Sequence, residues 1–194
     1  MNIKTYKEEL RREKIRTRNA LTEDQRSVYS AEICRRIADT PEYAAAETIL
    51  LYKWVKGEVR LDELERIASA DGKCLVYPLC ITKTEMLGVE PGSGSDAWNM
   101  NGYMGIMEPV AEHGRVVEAS EIDLVICPCT SFDEQCRRLG MGGGFYDRYL
   151  PGCINAAKMA VAFEIQRADE IPKDEYDITV DAVISEKGII RRKP

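Results

Sequence analysis

The stretch IDLVICPCTSFDEQCRRLGMGGGFYDRY, residues 122–149, decides the fold predicted for this chain. Its first seven residues, IDLVICP, form a nearly continuous apolar run, as in a strand buried on both faces of a parallel sheet. Four glycines then fall within the five positions 140–144, and a helix is predicted from about Phe145. A buried strand, a glycine-rich loop and a helix in this order indicate an α/β architecture.

The segments on either side continue the alternation of strands and helices. Helices are predicted over 3–19, 22–39 and 60–72, the second of them opened by the capping-box pattern Thr22 to Gln25. Strands are predicted over 48–55, 73–80, 84–90, 157–163 and 178–185, and a loop over 91–105. The pattern predicts a single domain over 1–194, an α/β sandwich with a largely parallel sheet.

Composition and charge narrow the class of protein. The 194 residues are 44% hydrophobic and 31% charged, and no apolar run approaches the roughly 20 residues of a membrane helix. The N-terminal segment has no apolar core like that of a signal peptide, so a cytoplasmic protein without membrane attachment is expected. Seven cysteines without a CxxC pair and the single His113 favour reduced, packed thiols over a zinc site.

The first helix carries an unusual concentration of positive charge. Of the net charge of −6, residues 1–20 contribute +4, so the remaining 174 residues contribute −10. Four basic residues share one face of this helix at i, i+4, i+7 and i+11: Lys7, Arg11, Lys14 and Arg18. This stripe is either a solvated surface or a local site for a polyphosphate, and the acidic remainder argues against a nucleic-acid partner.

The glycine stretch has two interpretations of the same kind. Glycines let backbone N–H groups converge on a phosphate, and the helix that follows adds its own free N–H groups. The stretch lacks both the Gly-Lys-Ser/Thr of a Walker A loop and the third glycine of GxGxxG, so a flexible turn with solvated arginines remains the alternative. Asp147 is either a helix-dipole partner or an oxygen ligand for Mg²⁺.

Five segments, taken together, resemble the 5-formyltetrahydrofolate cyclo-ligase (5,10-methenyltetrahydrofolate synthetase) family. They span nearly the whole chain in the family's order: KEELR (7–11), KGEV (56–59), YMGIMEP (103–109), DLVICPCTSFDEQCRRLGMGGGFYDR (123–148) and YDITVDAVIS (176–185). The resemblance implies a three-layer α/β/α sandwich like that of the ribose-phosphate isomerase and CoA-transferase-like proteins.

The resemblance also implies a reaction, the ATP-dependent cyclisation of 5-formyltetrahydrofolate to 5,10-methenyltetrahydrofolate with release of ADP and phosphate. The protein would then be a ligase with Mg²⁺ and ATP as co-substrates, a folate as its small-molecule substrate, and a monomer. The formyl oxygen would attack the γ-phosphate, N10 would add to the activated carbon, and phosphate would leave. Such chemistry needs mainly positioning and charge stabilisation, which suits a chain with one histidine.

Carried over position by position, the resemblance implies a set of site residues. The basic helix, about 3–19, would contribute to the nucleotide site. ATP phosphates would be held by Lys7, Arg11, Arg138, Leu139, Gly140, Met141, Gly142, Gly143, Gly144, Phe145 and Tyr146. The folate would contact Lys53, Glu58, Met141, Gly142, Gly143, Gly144 and Phe145. Arg138 and Asp147 would act in catalysis, and Asp147 and Asp181 would ligate Mg²⁺.

Three positions depart from the family pattern. Cys136 replaces a glycine, which would strain a turn with positive φ, so a different turn is expected there. Met141 replaces an aromatic or basic residue, and Phe145 replaces a tyrosine. These departures keep three alternatives open: a non-catalytic paralogue that binds ATP or folate, a Mg-ATP phosphotransferase acting on another small substrate, and a nucleic-acid-binding module.

Overall fold

The computed structural model describes residues 2–55 and 57–193, so Lys56 of the KGEV segment lies outside the described part of the chain. The α-helices of these residues are α1 Ile3–Asn19, α2 Glu23–Ala38, α3 Pro41–Ala45, α4 Asp62–Ala70 and α5 Phe145–Tyr149. Their strands are β1 Thr48–Leu50, β2 Cys74–Cys80, β3 Met86–Pro91, β4 Trp98–Asn99, β5 Glu108–Pro109, β6 Gly114–Val117, β7 Leu124–Pro128, β8 Ser131–Phe132, β9 Arg138–Leu139, β10 Ala157–Val161, β11 Ala182–Ser185 and β12 Gly188–Arg191.

One eight-stranded sheet organises the molecule, in the order β12-β11-β10-β7-β1-β2-β3-β6. The five strands from β11 to β2 are parallel, whereas β12, β3 and β6 add to the edges by antiparallel pairing. Two short ribbons, β4–β5 and β8–β9, stand apart from this sheet. The predicted largely parallel sheet is confirmed, and β7 is its central strand.

The sheet buries both of its faces, because side chains of a strand alternate between them. In β7, Leu124 and Ile126 join a core that α2, α3 and α4 cover, whereas Val125 and Cys127 join a second core. Leu150, which follows α5, closes that second core. The apolar run of the sequence is therefore the strand that is buried on both sides, and the fold is an α/β sandwich.

Helices α1 and α2 are stabilised in the way that the sequence indicates. Helix α2 begins with a full capping box, in which the Thr22 side chain accepts from Gln25 N at 3.2 Å and the Gln25 side chain accepts from Thr22 N at 2.9 Å. Helix α1 docks through Leu10, which packs against Leu139 and Ile171 in a third, small cluster. Among the described residues, none of the helices has the length and apolar character needed to cross a bilayer.

Three predicted elements are shorter in the structure. The first strand ends at Leu50, because the chain then bends into the turn at Gly57, whose φ is +81°. The last parallel strand begins at Ala182 rather than 178, since Ile178 N bonds Asp147 Oδ1 and Val180 N bonds Cys136 O. Helix α5 has only five residues, and β6 and β12 were not predicted.

Candidate active site

The glycine loop follows the carboxyl end of the central strand. The ribbon β8–β9 connects β7 to the loop, and Thr130 N donates to Leu139 O at 2.6 Å to close the base of the loop. Gly142 and Gly144 have φ of +101° and +67°, a region that side chains disfavour, so these two positions require glycine. The glycine cluster therefore shapes a fixed loop rather than a flexible tether.

The turn before β9 retains a left-handed residue. Cys136 has a φ of +58°, so the expectation of a different turn is wrong: the cysteine adopts the conformation that suits glycine. The buried Asp133 holds this turn, because its Oδ1 accepts from Gln135 N and Arg137 N at 3.0 Å each. Hydrogen bonds of this kind offset the cost of positive φ, of the order of 1–2 kcal/mol for a residue with a Cβ.

The basic stripe of α1 faces the body of the protein rather than solvent. Arg11 Nε donates to Gly140 O at 2.8 Å, and its guanidinium carbon lies 3.6 Å from where a Cβ on Gly142 would stand. Lys14 Nζ donates to Arg167 O at 2.8 Å, and Arg18 is buried with Nη1 4.0 Å from Glu58 Oε1. The solvated-surface interpretation of the stripe is thus wrong, and Arg11 reaches the glycine loop directly.

Lys7, at the start of the stripe, already has anionic partners. Its Nζ lies 2.7 Å from Asp174 Oδ2 and also pairs with Asp177 Oδ2. Burial by itself would lower the pKa of the Lys7 ammonium, but its hydrogen bonds to the two carboxylates outweigh burial and raise the pKa. Lys7 is therefore a charged residue held in place by the segment before β11.

Arg138 and Asp147 form the central ion pair of the site. Arg138 Nη2 donates to Asp147 Oδ1 at 2.8 Å, and the Arg138 side chain is only 2% exposed. Among the described residues, no acceptor bonds the buried Nε–H of Arg138. A one-turn helix has a weak dipole, so the helix-dipole interpretation of Asp147 gives way to this pair, and Arg138 keeps one donor for a further anion.

The structure does not bring Asp147 and Asp181 together as a magnesium site. Asp181 Oδ2 accepts from Lys158 N at 2.9 Å and its Oδ1 pairs with Arg192 at 3.1 Å, beside the start of β10. Asp147 instead lies against β9, beyond the opposite end of β7. Within residues 2–55 and 57–193, no three His, Cys, Asp or Glu residues are grouped to hold a metal. Asp181 therefore does not fit as a partner ligand.

The two residues expected on the folate side differ in their surroundings. Glu58 is buried, its Oε2 accepts from Val55 N at 3.1 Å, and burial raises the pKa of its carboxyl group. Lys53 is bound at 2.8 Å by both carboxylate oxygens of Glu65 and faces an open cavity of about 600 Å³ beside Trp98. The described residues that line this cavity include none from the glycine loop, so Lys53 and the loop are not brought together.

The other loop residues have distinct roles in packing. Leu139 is buried, whereas Met141 is 60% exposed and its sulfur receives the Thr130 hydroxyl at 3.3 Å. The Phe145 ring packs edge-on against Tyr103 with centroids 5.5 Å apart. No described residue bonds the buried Tyr146 hydroxyl, and burial raises its pKa well above the ordinary value, so it stays a neutral donor.

Several residues of the site were not singled out in the sequence. Asp174 and Asp177 hold Lys7, and Arg148 donates to Thr84 O at 2.7 Å and to Gly143 O. Glu108 is buried beside Tyr103. Only Arg148 carried a signal in the sequence, its place in the Tyr-Asp-Arg motif. The others act through partners far away in the chain, which spacing does not reveal.

Comparisons with known proteins agree with this geometry. Residues 3–186 match the model of the 5-formyltetrahydrofolate cyclo-ligase family. The 5-formyltetrahydrofolate cyclo-ligase of Escherichia coli K12 is 29% identical over 174 residues, covering 87% of this chain and 93% of that protein. A probable 5-formyltetrahydrofolate cyclo-ligase of Schizosaccharomyces pombe is 29% identical over 176 residues, covering 84% and 86%.

Solved structures give the same result. The 5,10-methenyltetrahydrofolate synthetase of Aquifex aeolicus superimposes with a TM-score of 0.84 and 31% identity, covering 97% of this chain and 93% of that one. The corresponding synthetase of Mycoplasma pneumoniae gives a TM-score of 0.76 and 25% identity, covering 93% and 98%. The similarity therefore extends over the whole α/β architecture as well as the signature loop.

Proposed function

The chain belongs to the 5-formyltetrahydrofolate cyclo-ligase family, and from this premise we propose that it is the ligase that converts 5-formyltetrahydrofolate to 5,10-methenyltetrahydrofolate with ATP as co-substrate. The observation that carries the proposal is the convergence of Arg11 and Arg138 on one glycine loop. The buried Nε–H of Arg138, which no described acceptor bonds, provides a donor for a phosphate oxygen.

The residues of this chain have separable tasks in the proposed reaction. Arg138 and the backbone N–H groups of the loop bind the γ-phosphate and stabilise the charge that develops on it, and Arg11 supports the loop from the α1 side. Lys7, held in place by Asp174 and Asp177, adds positive charge at the same end of α1. Positioning and charge neutralisation are the main requirements of phosphoryl transfer.

Atoms balance in two steps. The formyl oxygen attacks the γ-phosphorus, the bond to the β-phosphate oxygen breaks, and ADP leaves. N10 then adds to the activated formyl carbon, the phosphorylated oxygen leaves as phosphate, and N10 loses its proton. Glu58, buried near the loop, would accept hydrogen bonds from the pterin N–H groups.

Magnesium would enter with the nucleotide, already bound to phosphate oxygens. Asp147 Oδ2, for which the described residues show no hydrogen bond, would offer that cation one oxygen ligand, and water would supply others. Asp181 is left out of this assignment, because its carboxylate serves Lys158 N and Arg192. This proposal therefore differs from the two-carboxylate expectation.

A direct assay tests the proposal. Purified protein is mixed with Mg-ATP and 5-formyltetrahydrofolate at neutral pH, and the near-UV absorption of the methenyl product is followed together with ADP. We expect one ADP per methenyl product and no product when ATP is omitted, since the formyl oxygen must be phosphorylated before it can leave. Equal rates without ATP would contradict the mechanism.

The same assay separates the alternatives. A non-catalytic paralogue would bind ATP or folate and release no ADP. A phosphotransferase acting on another substrate would release ADP with its own acceptor but form no methenyl product. Either result, obtained with folded protein, would overturn the proposed activity.

A further inference from the structure

Glu108 is a buried carboxylate without a task in the reaction described so far. It is 6% exposed, and its two oxygens accept backbone hydrogen bonds from different segments. Oε1 accepts from Cys80 N at 3.1 Å, and Oε2 accepts from Tyr103 N at 2.9 Å. Among the described residues no cation pairs with Glu108, so these two N–H groups are what holds the charge.

These two bonds connect strand β2 to the 99–105 segment. The ribbon β4–β5 places Glu108 opposite Asn99, and Gly102 N donates to Ile106 O at 2.9 Å to close the turn between the two short strands. A Cβ on Gly102 would lie 2.8 Å from the Glu108 carboxyl carbon, so the glycine lets the backbone approach the carboxylate. The carboxylate therefore fixes where this segment begins its next residue, Tyr103.

Tyr103 in turn contacts the glycine loop. Its ring packs edge-on against Phe145, with centroids 5.5 Å apart and planes at 69°. Phe145 lies close over the loop, since a Cβ on Gly143 would stand 2.9 Å from Phe145 Cδ2. Arg11 contacts the other end of the loop, at Gly140 and Gly142. The Tyr103 side of the loop is thus separate from the side that carries the cation of α1.

We propose that Glu108 is a positioning residue for the folate: it bonds the Tyr103 backbone N–H, sets the Tyr103 ring against Phe145, and so shapes the folate-facing wall of the glycine loop. The inference rests on the proposed function, because it takes the substrate on this wall to be the reduced pterin. An aromatic wall provides the apolar, flat contact that such a ring system needs. The nucleotide, on the Arg11 side, is not affected.

The test compares Glu108→Gln with Glu112→Gln, the same change at an exposed position nearby. Glutamine keeps the size of the side chain but turns an amide donor toward one backbone N–H, so one of the two bonds is lost. We expect Glu108→Gln to raise the KM for 5-formyltetrahydrofolate about fivefold, the worth of one hydrogen bond, with the ATP KM within about twofold of wild type. Glu112→Gln should leave both constants unchanged.

A double-mutant cycle shows whether Glu108 acts through Tyr103. Tyr103→Phe keeps the ring and the backbone N–H and should bind folate nearly as well as wild type. Tyr103→Ala removes the ring and should raise the folate KM about tenfold, as expected for loss of an aromatic contact. Adding Glu108→Gln to Tyr103→Ala should then raise it by less than about twofold. A purely structural role for Glu108 would instead give additive effects.

The outcomes are distinct from those of the proposed function. If the wild type forms no methenyl product, the proposed function fails and the wall loses its ligand. If the wild type is active, then equal rises in both KM values, additive effects in the cycle, or a normal folate KM in Tyr103→Ala would overturn the positioning role. The last result decides the matter even if Glu108→Gln does not fold, because the Tyr103 ring is only partly buried.

Discussion

Replacing Asp147 by asparagine tests the ion pair at the centre of the site. A carboxylate in the first turn of an exposed helix contributes about 0.3–1 kcal/mol to stability through the helix dipole. The structure gives Asp147 a larger role, because Arg138 Nη2 lies 2.8 Å from its Oδ1 and the Arg138 side chain is 2% exposed. The substitution leaves the guanidinium charge buried without its counter-charge.

The magnitude follows from these contacts. Breaking a fully buried ion pair costs about 3–5 kcal/mol. Asp147 is 23% exposed, and an asparagine Oδ1 can still accept from Ile178 N, so we place the loss of unfolding free energy at about 2 kcal/mol. For a chain of this length that corresponds to a fall in Tm of about 4–8 °C.

Calorimetry and urea unfolding of four proteins measure the pair: wild type, Asp147→Asn, Arg138→Met and the double variant. The double variant should be more stable than the sum of the single losses predicts, by at least about 1 kcal/mol, because the two side chains are coupled. Asp169→Asn, at an exposed position, is the matched control and should stay within about 0.5 kcal/mol. A Tm for Asp147→Asn within 1 °C of wild type, or additive losses, would refute the reasoning.

Two further predictions concern α1 and Glu58. Arg11→Ala should raise the ATP KM about tenfold, the worth of one charge-assisted contact, whereas the exposed Arg12→Ala should not; equal effects in ATP titrations would contradict the assignment. Burial raises the pKa of Glu58 above 4.5, so the folded state binds this proton more tightly than the unfolded chain. The stability of wild type relative to Glu58→Gln should therefore fall as pH rises above 4.5, and a flat difference in urea unfolding between pH 4.5 and 7.5 would oppose this.

The elements that were predictable carry their signal locally. The apolar run of β7 identified the central parallel strand, and Thr22 with Gln25 identified the start of α2. Glycine at 142 and 144 is a direct requirement of positive φ, so the loop was visible in the sequence. In each case neighbouring residues decide the outcome, and the structure adds little to what they indicate.

The features that were not predictable depend on distant partners. The stripe of α1 looks solvated until Gly140, Arg167 and Asp174 are seen to receive it. Residues 178–180 have strand propensity, yet their N–H groups bond the signature turn and Asp147. The partner carboxylate of Lys53, Glu65, likewise comes from α4. Tertiary hydrogen bonding overrides local preference at these places.

The docking of α1 has a consequence for the order of events during synthesis. Lys7, Arg11 and Lys14 find their partners 129–170 positions later in the chain, at Gly140, Arg167, Asp174 and Asp177. The helix that leaves the ribosome first must therefore wait, at about 5–20 residues per second, for roughly 10–30 s before its final partners exist. During that interval it is a free basic amphipathic helix, and the nucleotide side of the loop is completed only when nearly the whole chain has been made.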